Sequence, residues 1–299
     1  MNYSQTDNFV QYGLNEYHFH GYHGEQRYLY TDKLSRKVQV LIHGIGADWR
    51  FWIPYLEAGM QHKRKKVCDV NFLLVELPGF GKSEFIASDL SLDALRDEIL
   101  AFCSLKKWND IEIIGHSMGG FLALHCAVNA RADISRVVSF AGAYNTILKV
   151  ARSPWVSWMR HPIVSMLYRS VRSVSRQRSN SKIISFLLAH PPLSDRLVSP
   201  FSTGRLPEGF GAYMIANIQG SPLDKIEKVG IVYDAYDQWS KFSVPVLMVF
   251  GGNDRMVPWR EGVYAARISD YVVPLILPLS NHLNVVEDAD IVWMLVNEV

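Results

Sequence analysis

Ile111-Glu112-Ile113-Ile114-Gly115-His116-Ser117-Met118-Gly119-Gly120-Phe121 joins an apolar run of strand length to an amphipathic helical pattern that continues to Ala130. The turn between them carries Gly-x-Ser-x-Gly in the strand-turn-helix setting that this motif requires. A sharp turn of this kind holds its serine in strained backbone geometry and crowds the neighbouring β-carbons, so glycines at 115 and 119 relieve it. The following helix aims its first N–H groups at the serine, and the Met118 N–H is placed to donate to a developing oxyanion. Ser117 is therefore read as a nucleophile; a glycine-rich turn whose serine merely caps a helix is the plainer alternative.

Working outward, short β-rich segments come first, at 17–22, 25–31 and 38–43. Strands and helices then alternate: a strand at 72–76, a helix at 92–105, the central strand and helix, and a strand at 136–141. Such alternation predicts a parallel sheet covered on both faces by helices, an α/β fold. The pattern stops after Ala143 and resumes with a buried strand at 244–250, a helix at 260–268, a strand at 272–277 and a terminal helix from about Val285. Between them, helical runs broken by Pro154, Pro162, Pro191, Pro192, Pro200, Pro207 and Pro222 predict a helical cap inserted into the sheet. The expected division is a core of 1–143 and 241–299 with a cap of 144–240.

His43-Gly44-Ile45-Gly46 leaves the 38–43 strand with little side-chain bulk, and the Ile45 N–H is the candidate second oxyanion donor. His43 itself reads as a buried histidine bonded to backbone. A base and its orienting acid should follow the nucleophile on loops at the same sheet edge. Asp254, in Gly251-Gly252-Asn253-Asp254, and His282, in Ser280-Asn281-His282, each follow a strand in that order. Asp133, Asp234 and Asp237 are rival acids in less suitable places. The expected chemistry is attack by Ser117 on an acyl carbon, with His282 taking the proton and Asp254 stabilising the imidazolium.

These motifs, with Leu77-Pro78-Gly79-Phe80-Gly81-Lys82-Ser83, resemble the α/β-hydrolase fold family in its branch with a serine nucleophile and a helical cap. The resemblance implies an eight-stranded, mostly parallel sheet, an active site at the carboxyl edge of its strands, a cap over that site and no cofactor. Glu76 departs from the aspartate that many relatives carry before this turn, which looks structural. A serine at the elbow argues against relatives that attack with aspartate, the haloalkane dehalogenases and epoxide hydrolases.

Composition narrows the rest. A chain of 299 residues, 48% apolar, can bury one large core, and its formal net charge of +2 implies no nucleic-acid partner. Three cysteines without a Cys-x-x-Cys pair make no disulfide framework, and the polar start lacks a secretory pattern, so a cytoplasmic enzyme is expected. His18, His20 and His23 do not share one strand face, and no metal site is expected there.

The cap has a one-sided charge: from 145 to 182 there is no Asp or Glu, while Lys149, Arg152, Arg160, Arg169, Arg172, Arg176, Arg178 and Lys182 are basic. The basic segment 149–182 could contact a peripheral membrane face or an anionic substrate, or could simply be solvated. The substrate pocket is expected to draw on His43, Gly44 and His116 from the core and on Trp155 and Trp158 from the cap. The leading reading is a serine hydrolase of carboxylic esters acting on a small-molecule acyl substrate. A thioesterase or acyltransferase, and a hydrolase-derived ligand receptor, are the alternatives.

Overall fold

The computed structural model describes residues 8–62, 70–142, 162–176 and 181–298. Strands β1 (Asn15–Gly21) and β2 (Gly24–Tyr30) open the chain as a hairpin, followed by β3 (Lys37–Ile42) and β4 (Asn71–Val75). The remaining strands are β5 (Asp110–His116), β6 (Ile134–Phe140), β7 (Val246–Gly251) and β8 (Val272–Leu277). Together they form one eight-stranded sheet in the order β1-β2-β4-β3-β5-β6-β7-β8. β2 pairs antiparallel with both of its neighbours, and every pairing from β4 to β8 is parallel. The mostly parallel, eight-stranded α/β sheet implied by the family resemblance is thus the observed architecture.

The central strands are apolar on both faces because both faces are covered. Val38, Val40, Ile42, Ile111, Ile113 and Val137 point into one core cluster, and the alternate residues Leu41, Ile114 and Val138 into the other. Helices α2 (Leu92–Leu105) and α3 (Met118–Ala127) supply the first cluster with Leu95, Ile99, Phe102 and Leu122. Helix α1 (Ile53–Gln61) supplies the second with Tyr55 and Leu56. Ser91 caps α2, its hydroxyl accepting from the Ala94 N–H at 3.1 Å.

Six α-helices and a short 3₁₀ helix (Ser199–Phe201) lie between β6 and β7 among the described residues, and no strand does: α4 (Pro162–Ser175), α5 (Lys182–Ala189), α6 (Pro191–Val198), α7 (Phe210–Ile218), α8 (Leu223–Val232) and α9 (Ala235–Trp239). After β7 come α10 (Arg260–Ile268), α11 (Asn284–Glu287) and α12 (Ala289–Asn297), the last packing Trp293 against Tyr55 of α1. The single terminal helix read from sequence is therefore two, with Asp288 between them.

Helix α3 corrects the amphipathic reading of 121–130. Every residue from Met118 to Ala127 is buried, since the helix is enclosed on all sides. Gly119 lets it lie against the sheet: a Cβ there would stand 2.2 Å from the Ile42 carbonyl oxygen. The Glu76 turn is structural, as its sequence suggested. Its buried carboxylate bonds Arg27 Nη1 at 3.1 Å and accepts the Lys82 N–H at 2.8 Å.

Candidate active site

Ser117 stands between β5 and α3 with φ 54° and ψ −116°, a conformation that side-chain-bearing residues seldom adopt. Two backbone hydrogen bonds fix it there: its N–H donates to Phe140 O at 2.8 Å, and its carbonyl accepts from the Phe121 N–H at 2.9 Å. A Cβ on Gly115 would lie 2.0 Å from the Gly119 carbonyl oxygen, so the turn closes only with glycine.

The loops after β7 and β8 bring the other two polar groups to the same sheet edge. Asp254 Oδ1 accepts from the Met256 and Val257 N–H groups at 2.8 and 3.0 Å, which turns Oδ2 toward His282. Oδ2 lies 2.8 Å from His282 Nδ1, and His282 Nε2 lies 3.2 Å from Ser117 Oγ. The carboxylate accepts only, so the imidazole carries its proton on Nδ1 and leaves Nε2 to accept from the serine hydroxyl. All three residues are buried.

His282 is held from behind. Its N–H donates to Asn281 Oδ1 at 2.8 Å, while Asn281 Nδ2 donates to the carbonyl of Ser202 at 3.1 Å. Its carbonyl accepts from His116 Nε2 at 2.8 Å. Burial holds the His116 pKa well below the usual histidine range, so this ring is a neutral donor, stacked 4.6 Å from Phe51. Neither Asn281 nor Phe51 was singled out from sequence, where nothing marks them as neighbours of the histidine.

Ile45 and Met118 line the same cavity as Ser117. Met118 opens α3, so its N–H has no partner within the helix. Ile45 follows Gly44, whose missing Cβ would lie 2.9 Å from Ser117 Cβ, so the loop backbone passes close over the serine.

A cavity of about 370 Å³ opens above Ser117 and His282. Ile45, Met118, Phe121 and Met256 line it from the core, and Val171, Val174, Leu197, Ile215 and Ile226 from the helices between β6 and β7. His43, Gly44 and His116 do not line it, contrary to the sequence-based expectation. They are buried beside it instead: His43 Nδ1 faces Gly44 O at 2.8 Å and its Nε2 accepts from the Leu77 N–H at 3.1 Å. Burial lowers the His43 pKa to about 4. Trp155 and Trp158 fall outside the described residues.

Of the basic stretch 149–182, Arg169, Arg172, Arg176 and Lys182 are described. Arg172 and Arg176 are not bare cations: both approach Asp224 of α8, at 3.5 and 3.3 Å, and Arg172 also approaches Glu227 at 3.5 Å. Acids from a helix distant in sequence thus neutralise part of a charge that looked one-sided. Among the described residues, no group of three or more His, Cys, Asp or Glu side chains could hold a metal ion, and no helix is long and apolar enough to cross a membrane. His23 is buried with its Nε2 accepting from the Ser91 N–H at 3.0 Å, while His18 pairs with Glu16 and Glu25.

A family model described as the alpha/beta hydrolase family matches residues 39–293. The chain is 26% identical over 193 residues to the pimeloyl-[acyl-carrier protein] methyl ester esterase of Neisseria meningitidis serogroup C, covering 64% of this chain and 68% of that protein. The protein of the same name from Vibrio atlanticus is 24% identical over 272 residues, 84% of this chain and 89% of its own. Among solved structures, a carboxylesterase from Bacillus subtilis superposes with a TM-score of 0.68 at 14% identity, over 97% of this chain and 93% of that one. A bacterial membrane phospholipase A gives 0.69 at 18% identity, over 97% and 86%. At these identities the superpositions speak for the fold.

Proposed function

The chain belongs to the alpha/beta hydrolase family, and from that premise we propose that it is a serine esterase that cleaves carboxylic esters through an acyl-enzyme. The observation that carries this reading is the continuous relay Asp254 Oδ2, His282 Nδ1, His282 Nε2, Ser117 Oγ, with steps of 2.8 and 3.2 Å. It ends on a strained serine at the floor of a largely apolar cavity. The esterases among its relatives accord with an ester as substrate.

In the proposed cycle Ser117 Oγ attacks the ester carbonyl carbon while His282 Nε2 takes its proton. The carbonyl oxygen, now an anion, is met by the Met118 and Ile45 N–H groups, each of which contributes about 3–4 kcal/mol to the transition state. His282 then protonates the departing alkoxide, the C–O bond breaks and the alcohol leaves. Water enters along the same path, gives its proton to His282 and releases the acid, returning the proton to Ser117. Asp254 stays ionised and stabilises the imidazolium in both halves.

In the same reading, the segment 144–240 is a cap whose helices roof the cavity and select the acyl group. Exposed Arg196, which lines the cavity, and exposed Lys182 would face an anionic part of the substrate that remains outside.

Hydrolysis of p-nitrophenyl esters from acetate to palmitate, by the wild type and Ser117→Ala side by side, tests the reading. Serine-dependent turnover with a chain-length optimum supports it. Equal rates in the two proteins, or a single stoichiometric burst without turnover, would overturn it in favour of adventitious hydrolysis or of acyl transfer or a receptor role.

A further inference from the structure

Exposed side chains mark where the cavity meets solvent: Met166 of α4 and Arg196 and Leu197 of α6 line it and are themselves exposed. An apolar row runs from this mouth across α6 and α5. Leu193 lies one turn back from Leu197, and His190 nearly one turn before Leu193. The His190 ring lies 4.1 Å from that of Phe186 on α5, with Ile183 about one turn further. Ile183 and Phe186 are 69% and 53% exposed. The two helices already bury another face, through Ile184, Ser194 and Val198, so the exposed row is surplus to the fold. Apolar side chains exposed singly need no explanation, whereas a contiguous group marks an interaction site.

Charge along this row is one-sided. Lys182 adjoins Ile183 and Arg196 adjoins Leu197, and neither forms an ion pair among the described residues. The sequence holds no Asp or Glu between Asp133 and Asp195. Asp195 itself is turned into the fold, where its carboxylate accepts from the Gly209 and Gly211 N–H groups at 3.1 and 2.7 Å.

We propose that the exposed face of α5 and α6 is a docking surface for an anionic lipid layer. The apolar row enters the headgroup region, Lys182 and Arg196 meet lipid phosphates, and the mouth of the cavity faces hydrocarbon. A substrate chain then passes from an apolar layer into an apolar cavity without crossing water. A second copy seated on the same face about a two-fold axis would bring its own cations against these. An acidic protein would answer the cations and leave the apolar row wet unless it brought a matching row of its own; a lipid layer supplies both. The inference adds to the esterase reading the place where substrate is met, and it stands without turnover, so the two can fail separately.

The test is sedimentation of the protein with vesicles of phosphatidylcholine alone and of phosphatidylcholine mixed equally with phosphatidylglycerol. The wild type should bind the mixed vesicles about tenfold or more tightly than the neutral ones, with the difference fading at high salt. Lys182→Gln should weaken binding to the mixed vesicles about fivefold. The double variant Ile183→Ser, Phe186→Ser should weaken it about tenfold or more. That variant should keep the wild-type circular dichroism, urea midpoint and turnover of p-nitrophenyl acetate, since neither residue lines the cavity. Equal binding to both vesicles, or a double variant that sediments like the wild type, overturns the proposal. So does a protein that stays in the supernatant with both, an outcome that would leave the face to a protein partner. Ester turnover at wild-type rate by Ser117→Ala would contradict the esterase reading and leave the vesicle result untouched.

Discussion

Gly119 and the carbonyl oxygen of Ile42 are so close that a methyl group on Gly119 would stand 2.2 Å from that oxygen. The contact is backbone against β-carbon and no flexible side chain can yield, so α3 would have to lift from β3. Gly119→Ala should therefore destabilise the protein by about 3 kcal/mol and displace Ser117 from His282. Urea unfolding of the variant measures the first effect and ester turnover the second. A variant of wild-type stability would show that the elbow is looser than this geometry requires.

Asp254→Asn should fold normally, because the Asn Oδ1 can still accept from the Met256 and Val257 N–H groups. The amide nitrogen that replaces Oδ2 would donate toward His282 Nδ1, forcing the proton onto Nε2, where it cannot accept from serine. Turnover should fall by about 10⁴-fold with little change in the unfolding midpoint. Activity within tenfold of the wild type would remove Asp254 from its proposed role.

Asn281 joins the histidine loop to the segment between β6 and β7 through His282 N and Ser202 O. Asn281→Ala should loosen both ends, lowering kcat by roughly an order of magnitude while leaving KM for a short ester nearly unchanged. A fall in KM performance with intact kcat would place the effect on the cavity instead.

Buried histidines, His23 and His43 among them, make stability depend on pH. The pKa values of His23 and His43 are each lowered by burial from 6.5 to about 4, so the unfolded chain binds more protons than the native one between those values. Stability should thus be complete above pH 6.5 and decline as the pH falls toward 4, by on the order of 3 kcal/mol for each histidine. The urea midpoint of His43→Asn, followed from pH 7 to 4, should fall less steeply than that of the wild type. Parallel curves would mean that His43 titrates alike in both states.

Much of this arrangement is legible in the sequence. Ser117, Asp254 and His282 each follow an apolar strand, and the order of strands in a doubly covered sheet makes their loops neighbours. The helix after Ser117 was harder: its Gly119, Gly120, Ala123 and Ala127 look like gaps in an apolar stripe, whereas they are what lets all sides of α3 be enclosed. The 53–61 helix is masked in the sequence, since it begins directly after the 3₁₀ turn of Trp49–Trp52 with Pro54 in its first turn. His43 and His116 are turned away from the cavity by hydrogen bonds to backbone groups distant in sequence, the Leu77 N–H and the His282 carbonyl, which no local pattern reveals.

The most direct measurement is covalent. A fluorophosphonate carrying an alkyl chain should be attacked by Ser117 Oγ, which forms a P–O bond and expels fluoride, and intact mass should rise by one phosphonyl group per chain. Peptide mapping should find the modification on Ser117, with none in Ser117→Ala and markedly slower labelling in His282→Ala. Labelling at another residue, or equal labelling in all three proteins, would contradict the account of Ser117 as a nucleophile activated by His282.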